Sequence, residues 1–279
     1  MIFARDKSQM CNNLLQYAHV YAWGREHGRK VISMRFSYKY QYFHICHTSL
    51  TGFGWYLLAK YLAAVKILPT ASFKRADCDR EALERMMLRH RHIVVSGWNV
   101  RFYDLFLKYR QEICDLFRID DCYTTSVKKK MRDICDSPSA ILRLGVHIRR
   151  GDYATWNDGR FFYSLEEYHQ FMLRVQQLYN DRRVSFFISS NEDFSLDLFE
   201  GCCCQRFGKE PSGAILDLYT LSVCDRIIGP FSSYSRWASF IGEVPLCFLE
   251  SKGQQFTEES FSKIIDYFHF ENGKEILDW

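Results

Sequence analysis

The 279-residue sequence lacks the features of a membrane-spanning or secreted protein. It contains no apolar run of about 18 residues, the length that a spanning helix requires. Its first residues, "MIFARDKSQM", do not show the basic stretch followed by an apolar one that is typical of a secretion signal. We therefore expect a soluble cytoplasmic protein, and peripheral contact at the inner face of a membrane is left open.

A disulfide or zinc framework is also missing. The eleven cysteines, including the run Cys202, Cys203 and Cys204, are odd in number and show no C-x2-C spacing. We expect reduced thiols and no metal. The tripeptide Asp77-Cys78-Asp79 could suggest a metal-bridged nucleotide site, but its setting in "KRADCDREALERMM" favours a helix cap.

The charge is nearly balanced, which gives no support to a nucleic-acid partner. The net charge is +4 with 25% charged residues, close to the average of globular proteins. The run "KKKMR" at 128–132 is typical of a solvated helix face. A hydrophobic content of 47% is enough for full cores, and the length favours two domains.

Apolar runs alternate with helical patterns along the chain. The runs "IFA", "VISMRF", "HIVVSGW", "ILRLGVHIR", "VSFFISS", "RIIGPF" and "VPLCFLE" indicate strands. Strands separated by helices predict crossover units and parallel sheets, an α/β fold. The stretch "CDSPSA" indicates a boundary between an N-terminal Rossmann-like domain at 1–137 and a C-terminal one at 138–279.

The stretch "LGVHIRRGDY" at 144–153 ends the strongest strand in charged residues. Side-chain alternation places His147 and Arg149 on one face, opposite an aliphatic face. In open parallel sheets, ligands bind beyond the carboxyl ends of the strands. A guanidinium fork matches phosphate oxygens, so we expect an anion such as a pyrophosphate here.

Two further residues shape the turn that follows. Gly151 permits a sharp turn, and Asp152 can lock it by pairing with Arg150 or by accepting backbone hydrogen bonds. The alternative is a purely structural strand end, in which the arginines serve Asp152 and nearby carboxylates.

A second candidate site lies in "ILDLYTLSVCDRIIGPFSSYSRW". Ser232 or Ser233 at a helix N-cap would aim N–H groups and the positive helix end at the same crevice. Asp217 could accept from both N1–H and N2–H of a guanine, or could merely cap a helix.

These motifs, together with "CNNLLQYA" near the N-terminus, resemble the α1,2-fucosyltransferases of glycosyltransferase family 11 and, more remotely, core α1,6- and protein O-fucosyltransferases. The resemblance implies a GT-B-like fold, with two Rossmann-like domains whose parallel sheets face a central cleft. It also implies inverting transfer from GDP-fucose, with no cofactor and no metal required.

Carried over by position, the resemblance assigns roles to the quoted residues. Arg149 would bind the β-phosphate and help the leaving group, and His147 would brace the donor. Asp217 would hold guanine, and Ser232 and Ser233 would hold phosphate. The family loop G-x-G-N-Q is "SQMCNN" here, with Asn12 at the asparagine position and Cys11 where glycine is expected.

The general base and the acceptor are less well defined. Asp158 in "TWNDGRFFY" lies near an acidic residue of related enzymes, although an aspartate in "NDG" is also typical of a solvent-facing turn. The resemblance implies a galactose acceptor, on an oligosaccharide such as a lipid-linked precursor of a bacterial surface glycan. Two alternatives remain: a transferase that uses another sugar nucleotide, and a silent nucleotide- or glycan-binding module.

Overall fold

The structure, a computed structural model, describes residues 1–5, 8–75, 77–134, 141–208, 213–264, 270–271 and 274–275. The chain forms two compact units, Met1–Asp120 and Asp121–Trp279. The predicted boundary between residues 137 and 138 lies outside the described residues. The helix before it belongs to the second unit, because Val127 and Met131 pack there against Phe187.

The first unit carries a four-stranded parallel sheet in the order β2-β1-β4-β3. Its elements in chain order are β1 (Ile2–Arg5), α1 (Met10–Glu26), β2 (Val31–Ser33), α2 (Phe53–Ala64), β3 (Thr70–Ser72), α3 (Arg80–Arg89), β4 (Ile93–Ser96), α4 (Tyr103–Lys108) and α5 (Arg110–Leu116).

Helix α1 is buried nearly all round. It begins at Met10, so Cys11 and Asn12 lie in its first turn rather than in a loop. The helix packs against the sheet and against both α4 and α5, so more than one of its faces is covered. Gly28, with a φ of 61°, follows the helix end.

The stretch "KRADCDREALERMM" forms a helix with a side-chain cap. The carboxylate of Asp79 accepts a hydrogen bond of 2.9 Å from the backbone N–H of Ala82 in the first turn of α3. Asp77 instead forms an ion pair of 2.6 Å with Arg75. The interpretation of this tripeptide as a helix cap is confirmed.

The second unit carries a five-stranded parallel sheet in the order β7-β6-β5-β8-β9. Its elements are α6 (Asp121–Ile134), β5 (Ile141–Ile148), α7 (Leu165–Leu178), β6 (Arg183–Ser190), β7 (Cys203–Gln205), α8 (Gly213–Ser222), β8 (Arg226–Gly229), α9 (Ser233–Gly242) and β9 (Leu246–Phe248), followed by the short pair β10 (Phe270–Glu271) and β11 (Lys274–Glu275).

This strand order has a topological switch point. From β5 the chain moves outward through β6 and β7, then returns to add β8 and β9 on the other side of β5. The crevice that such a reversal opens at the carboxyl ends is where open α/β sheets bind their ligands. The switch point of this sheet therefore lies between β5 and β8.

Strand β5 is anchored by its aliphatic face. Leu142, Leu144, Val146 and Ile148 all lie in the main core cluster of the unit, as the alternation predicted. The other face is also covered, because Gly145 lies directly under Leu221 of α8. Burial on both faces is typical of a parallel sheet.

The segment between β2 and β3, where the sequence shows little periodicity, forms a 3-10 turn at His44–His47 and then α2. None of the described helices is long and apolar enough to cross a bilayer.

Candidate active site

Arg149 stands directly beyond the carboxyl end of β5, next to the switch point. The preceding residue, Ile148, pairs with Ser190 at the end of β6, so the two strands end side by side. The guanidinium of Arg149 donates one hydrogen bond of 2.8 Å to Asp152 and lies 5.6 Å from the ring centre of Tyr153. Its side chain is mostly buried, whereas that of Asp152 is 62% exposed.

The predicted pairing of Asp152 with Arg150 is wrong. Gly151, with a φ of 62°, starts a 3-10 turn at Gly151–Ala154 that places Asp152 on the side of Arg149. Arg150 points toward β6 instead, where its Nε lies 3.4 Å from Glu192 and its backbone N–H donates to Asn191. The two arginines of the motif therefore have different partners.

His147 is a buried, neutral histidine at the same carboxyl edge of the sheet, by which we mean the side where the parallel strands end; the opposite side is the amino edge. Burial, and secondarily the positive charge of Arg149, lowers the pKa of His147 to about 3. Its ring lies 5.0 Å from the ring of Tyr234, and its Nδ1 has no hydrogen-bond partner among the described residues. A side chain at Gly229 of β8 would come within 2.9 Å of the His147 Cβ, which explains the glycine there.

Helix α9 begins at the switch point and points its N-terminus toward these residues. Ser232 is the N-cap, and its hydroxyl accepts a hydrogen bond of 3.2 Å from the Tyr234 backbone N–H. Ser233 is the first helical residue. The end of such a helix carries a partial positive charge that favours anions.

Tyr153 connects the arginine to this helix. Its hydroxyl donates a hydrogen bond of 2.6 Å to the carbonyl of Phe231 and also lies near Ser232. Burial raises the pKa of Tyr153, so it stays a neutral donor. Since Arg149 packs over the same ring, the guanidinium and the N-terminus of α9 are neighbours.

Asp217 is a buried carboxylate inside α8, not a helix cap. Burial raises the pKa of Asp217 to about 7, although the charge of Arg206 and hydrogen bonds from Ser189, Ser190 and Gly208 oppose the shift. Its Oδ1 has no hydrogen-bond partner in the part of the chain that the structure describes. A side chain at Gly208 would collide with the carboxylate.

Arg206 provides the positive charge nearest to Asp217. It follows β7, and its side chain is only 6% exposed. One Nη donates to the Ser190 carbonyl at 3.1 Å and the other to Asp193 at 3.3 Å. Arg206 therefore holds the end of β6 while it lowers the pKa of the neighbouring carboxyl group.

The two ends of this edge are joined through Tyr234. Its ring packs on His147, and its hydroxyl donates a hydrogen bond of 2.6 Å to the Ala214 carbonyl in α8, one turn before Asp217. The edge thus brings together His147, Arg149, Arg150, Asp152, Asp217, Ser232 and Ser233 within the second unit.

Asp158 and Asn12 are placed differently. Asp158 lies exposed in the 3-10 turn Trp156–Gly159, with a left-handed φ of 54° that is typical of a turn aspartate. Asn12 belongs to the first unit, where its side chain donates to the Ser8 hydroxyl at 2.6 Å. The buried thiol of Cys11 next to it has a raised pKa.

Three residues of this edge were missed by the sequence analysis. Tyr153 and Tyr234 stand inside the quoted motifs, but an aromatic residue there gave no separate indication of a bridging role. Arg206 could not be found, because β7 is a three-residue strand within the cysteine run and was not recognised. The described residues contain no group of three or more His, Cys, Asp or Glu side chains suited to a metal ion.

Solved structures with the same fold are fucosyltransferases. A mutant of Arabidopsis thaliana FUT1 in complex with GDP has 10% identity and a TM-score of 0.60 over 94% of this chain and 73% of its own. The α1,6-fucosyltransferase NodZ, soaked with GDP-fucose and known from Bradyrhizobium, has 14% identity and a TM-score of 0.56 over 89% and 94%. POFUT1 in its apo form has 12% identity and a TM-score of 0.50 over 89% and 97%.

At these identities the likeness shows the fold, and it confirms the predicted GT-B-like fold class, an α/β protein with parallel sheets. No match was found among curated proteins. The sequence model of glycosyl transferase family 11, however, matches residues 81–245, which is more than half of the chain and includes the whole edge from His147 to Ser233. The chain belongs to glycosyl transferase family 11.

Proposed function

We propose that this protein transfers L-fucose from GDP-fucose to a hydroxyl group of a glycan, with inversion at the sugar carbon. The observation that carries the proposal is the pairing of two unlike sites at one sheet edge. A buried carboxylate, Asp217, whose Oδ1 has no hydrogen-bond partner among the described residues, lies near the end of β6, and Arg149 with the N-terminus of α9 lies at the switch point between β5 and β8. In a bound guanosine diphosphate, the base would occupy the site at Asp217 and the phosphates would occupy the site at Arg149.

The guanine is bound by Asp217. An ionised carboxylate can accept from N1–H and N2–H together, and guanine is the common base that offers these two donors in parallel. The lack of a partner for Oδ1 among the described residues supports a hydrogen-bonding ligand at this place. A pKa near 7 means that the carboxylate must lose its proton to bind, and the neighbouring charge of Arg206 assists that loss.

The diphosphate is bound by Arg149, Ser232, Ser233 and the N-terminus of α9. The ion pair of Arg149 with the exposed Asp152 is weak enough to exchange for a phosphate oxygen. His147 is neutral and lies next to Arg149 on the same strand face, so it braces the donor site through its Nδ1, which has no partner among the described residues. Arg150 fixes the turn that carries Arg149 through Asn191 and Glu192, and the backbone carbonyl of Asp152 accepts from Thr155 in the same turn.

In the chemical step, the bond between the fucose carbon and the β-phosphate oxygen breaks while the acceptor oxygen attacks from the opposite face. Negative charge grows on the departing diphosphate, where Arg149 and the α9 N-terminus stabilise it. Preorganised donors of this kind contribute about 3 to 4 kcal/mol to a transition state. The acceptor proton passes to Asp158, the proposed base, whose exposed position leaves it accessible.

The finer assignments rest on the resemblance. We propose galactose as the acceptor sugar, an α1,2 linkage, a lipid-linked or other surface oligosaccharide as the natural acceptor, and transfer without a metal ion. Transfer that disappears in EDTA and returns with Mn²⁺ or Mg²⁺ would contradict the metal-free assignment.

The experiment that tests the proposal is a melting-temperature series with GDP, UDP, ADP and their sugar conjugates, followed by transfer assays with labelled GDP-fucose on a glycan array. A ligand in excess raises the melting temperature by mass action. We expect stabilisation by GDP and not by UDP, and transfer to galactosides. Stabilisation by UDP would indicate another donor, and stabilisation by GDP without transfer or hydrolysis would indicate a silent binding module.

A further inference from the structure

A group of exposed apolar side chains lies on α2 and the segment after it, in the first unit. Leu58, Tyr61 and Val65 follow one another at helical spacing and face outward, with Tyr61 62% and Val65 64% exposed. Ile67, two residues further on, is 72% exposed. We call this surface the α2 patch; its members are Phe53, Trp55, Leu58, Tyr61, Val65 and Ile67.

The opposite face of α2 is well anchored. Ala59 is fully buried, and Tyr56, Leu62 and Ala63 pack against the core formed by β1, β2 and β4. The helix is therefore docked on its own sheet, and the α2 patch is a second apolar face that this sheet does not cover. A contiguous exposed apolar surface on a folded unit commonly marks an interaction site.

The sequence run that contains the patch has charge of one sign. The run at 27–76 contains eight lysines and arginines and no aspartate or glutamate. The whole chain carries only +4, so the rest of the sequence is net negative and the basic charge is concentrated here. Lys60 lies over the rings of Tyr56 and Tyr61, each at 5.7 Å, and Lys66 is exposed just beyond the helix.

We infer that the α2 patch docks the protein on the surface of an anionic lipid bilayer. A helix with Leu58 and Tyr61 on one exposed face, partly exposed Phe53 and Trp55 in its first turn and lysines beside them is typical of helices that lie in the interfacial plane of a bilayer. At 12 residues α2 is about 18 Å long, too short to span but long enough to lie on the surface.

Charge favours lipid over the other occupants. Two copies joined through this surface would bring the lysines of both chains together, and like charges repel. A neutral sugar would stack on the aromatic rings without requiring any positive charge. Anionic headgroups satisfy both features, since the apolar side chains enter the boundary of the acyl region while the lysines remain at the phosphates.

The test is co-sedimentation of the full chain with vesicles of phosphatidylcholine alone and with about one third phosphatidylglycerol. We expect binding to the anionic vesicles, weakened by salt, and little binding to the neutral ones. Lys60→Glu with Lys66→Glu should lower the partition by at least about tenfold. Leu58→Ser with Tyr61→Ser should lower it by a similar factor.

Matched controls separate the α2 patch from general effects. Leu88→Ser on α3 removes another exposed leucine, and Lys129→Glu on α6 removes another exposed lysine; neither should change vesicle binding. Melting temperatures of all variants should stay near the wild-type value, because every changed side chain is exposed.

Three results would overturn the inference. They are a wild-type protein that binds both kinds of vesicle equally or neither, patch variants that bind as well as the wild type, and patch variants that instead convert a dimer into a monomer in size-exclusion chromatography. The last result would identify a second copy of the chain as the occupant.

Discussion

Strand β5 has an arginine near each end, and the two differ in how they are held. Near the amino end, Arg143 binds Asp225 with both its Nε, at 3.1 Å, and an Nη, at 2.5 Å, and the same carboxylate also accepts from the Arg143 backbone N–H. Beyond the carboxyl end, Arg149 makes one side-chain hydrogen bond within the described residues, to the exposed Asp152. The first pair is complete in itself, whereas the second arginine keeps donors that a ligand can use.

The carboxylates of the two edges show the same contrast. Asp225 is fully engaged by Arg143, whereas Asp217 is buried with one oxygen unfilled among the described residues. A protein that only needed ion pairs to close its sheet would match its charges equally at both edges. The difference supports the proposal that the amino edge serves stability and the carboxyl edge serves binding.

The largest expected effect is the loss of turnover when Arg149 is substituted. Arg149→Lys keeps the charge but loses the fork, so it should lower turnover nearly as much as Arg149→Ala, on the order of 100-fold to 1000-fold. The melting temperature should hardly change, because the aliphatic face of β5 supplies the burial. Kinetics with GDP-fucose and melting curves on both variants measure this.

The matched control is Arg143→Lys, which should do the opposite and lower the melting temperature while turnover is retained. The contrast between the edges fails if Arg149→Lys keeps most of the wild-type turnover, or if Arg149→Ala unfolds the protein.

The next largest effect is on GDP binding and stability, and it distinguishes the carboxylates of Asp217 and Asp225. Asp217→Asn should weaken GDP binding by roughly 10-fold to 100-fold, because a charged acceptor is lost. The same change should stabilise the ligand-free protein at pH 8, by about 1 to 3 kcal/mol. Asp225→Asn should leave GDP binding intact and destabilise the fold by roughly 1 kcal/mol. Calorimetric titrations and melting curves give both quantities.

The sign of the stability effect follows from the raised pKa of Asp217. The folded state keeps its proton up to about pH 7, whereas the unfolded chain loses it near the ordinary value of 3.8. The contribution of the protonated Asp217 to the free energy of unfolding is complete at pH values below that ordinary value, and it is lost as the pH rises toward 7. The advantage of the asparagine variant should therefore grow across this range and level off above it. An advantage that does not vary with pH would show that Asp217 is not the titrating group.

A smaller effect, on the pH dependence of GDP affinity, is expected when Arg206 is substituted. GDP affinity of the wild type should fall as the pH drops below about 7, because only ionised Asp217 accepts from guanine. His147, whose pKa is about 3, does not titrate in this range. Arg206→Met removes a charge that favours ionisation, so the midpoint of the affinity profile should move to higher pH. Affinity at pH 7 should fall by about fivefold for the first unit of that movement and by about tenfold for each further unit.

The control for Arg206 is Arg182→Met at the amino edge, beside the ion pair of Arg143 and Asp225. It should leave the pH profile of GDP affinity unchanged. A profile that Arg206→Met leaves in place would mean that the charge of Arg206 does not act on the guanine site.

The smallest effect belongs to Arg150, whose ion pair with Glu192 is long and partly exposed. Arg150→Ala should reduce stability by about 0.5 to 1 kcal/mol, and activity should fall a few fold because the turn that carries Arg149 loosens. Glu192→Ala should reproduce the stability loss. A change in turnover as large as that of Arg149→Ala would place Arg150 among the direct donor contacts.

The sequence predicted the orientation of the sheet strands better than the side-chain partners at the carboxyl edge. The aliphatic alternation of Leu142 to Ile148 allows one orientation of β5, so the position of His147 and Arg149 could be read from periodicity. The partner of Asp152 could not, because it depends on the left-handed turn at Gly151, which points Asp152 back to Arg149.

The environment of Asp217 was likewise beyond the sequence. Its carboxylate is enclosed by residues from β6, the segment after β7 and α8, which are adjacent only through the strand order. No local pattern encodes such a cluster. The neighbouring Arg206 and the raised pKa of Asp217 follow only from the packed unit.

The most direct test of the guanine site compares GDP with inosine diphosphate, which lacks the N2 amino group, by calorimetric titration of the wild type and of Asp217→Asn at pH 8. If Asp217 accepts from N1–H and N2–H, the wild type should prefer GDP by about 10-fold to 100-fold, and the preference should disappear in the variant. A wild type that binds both nucleotides equally, or a preference for GDP that survives in Asp217→Asn, would contradict the assignment of this edge as the GDP-sugar site.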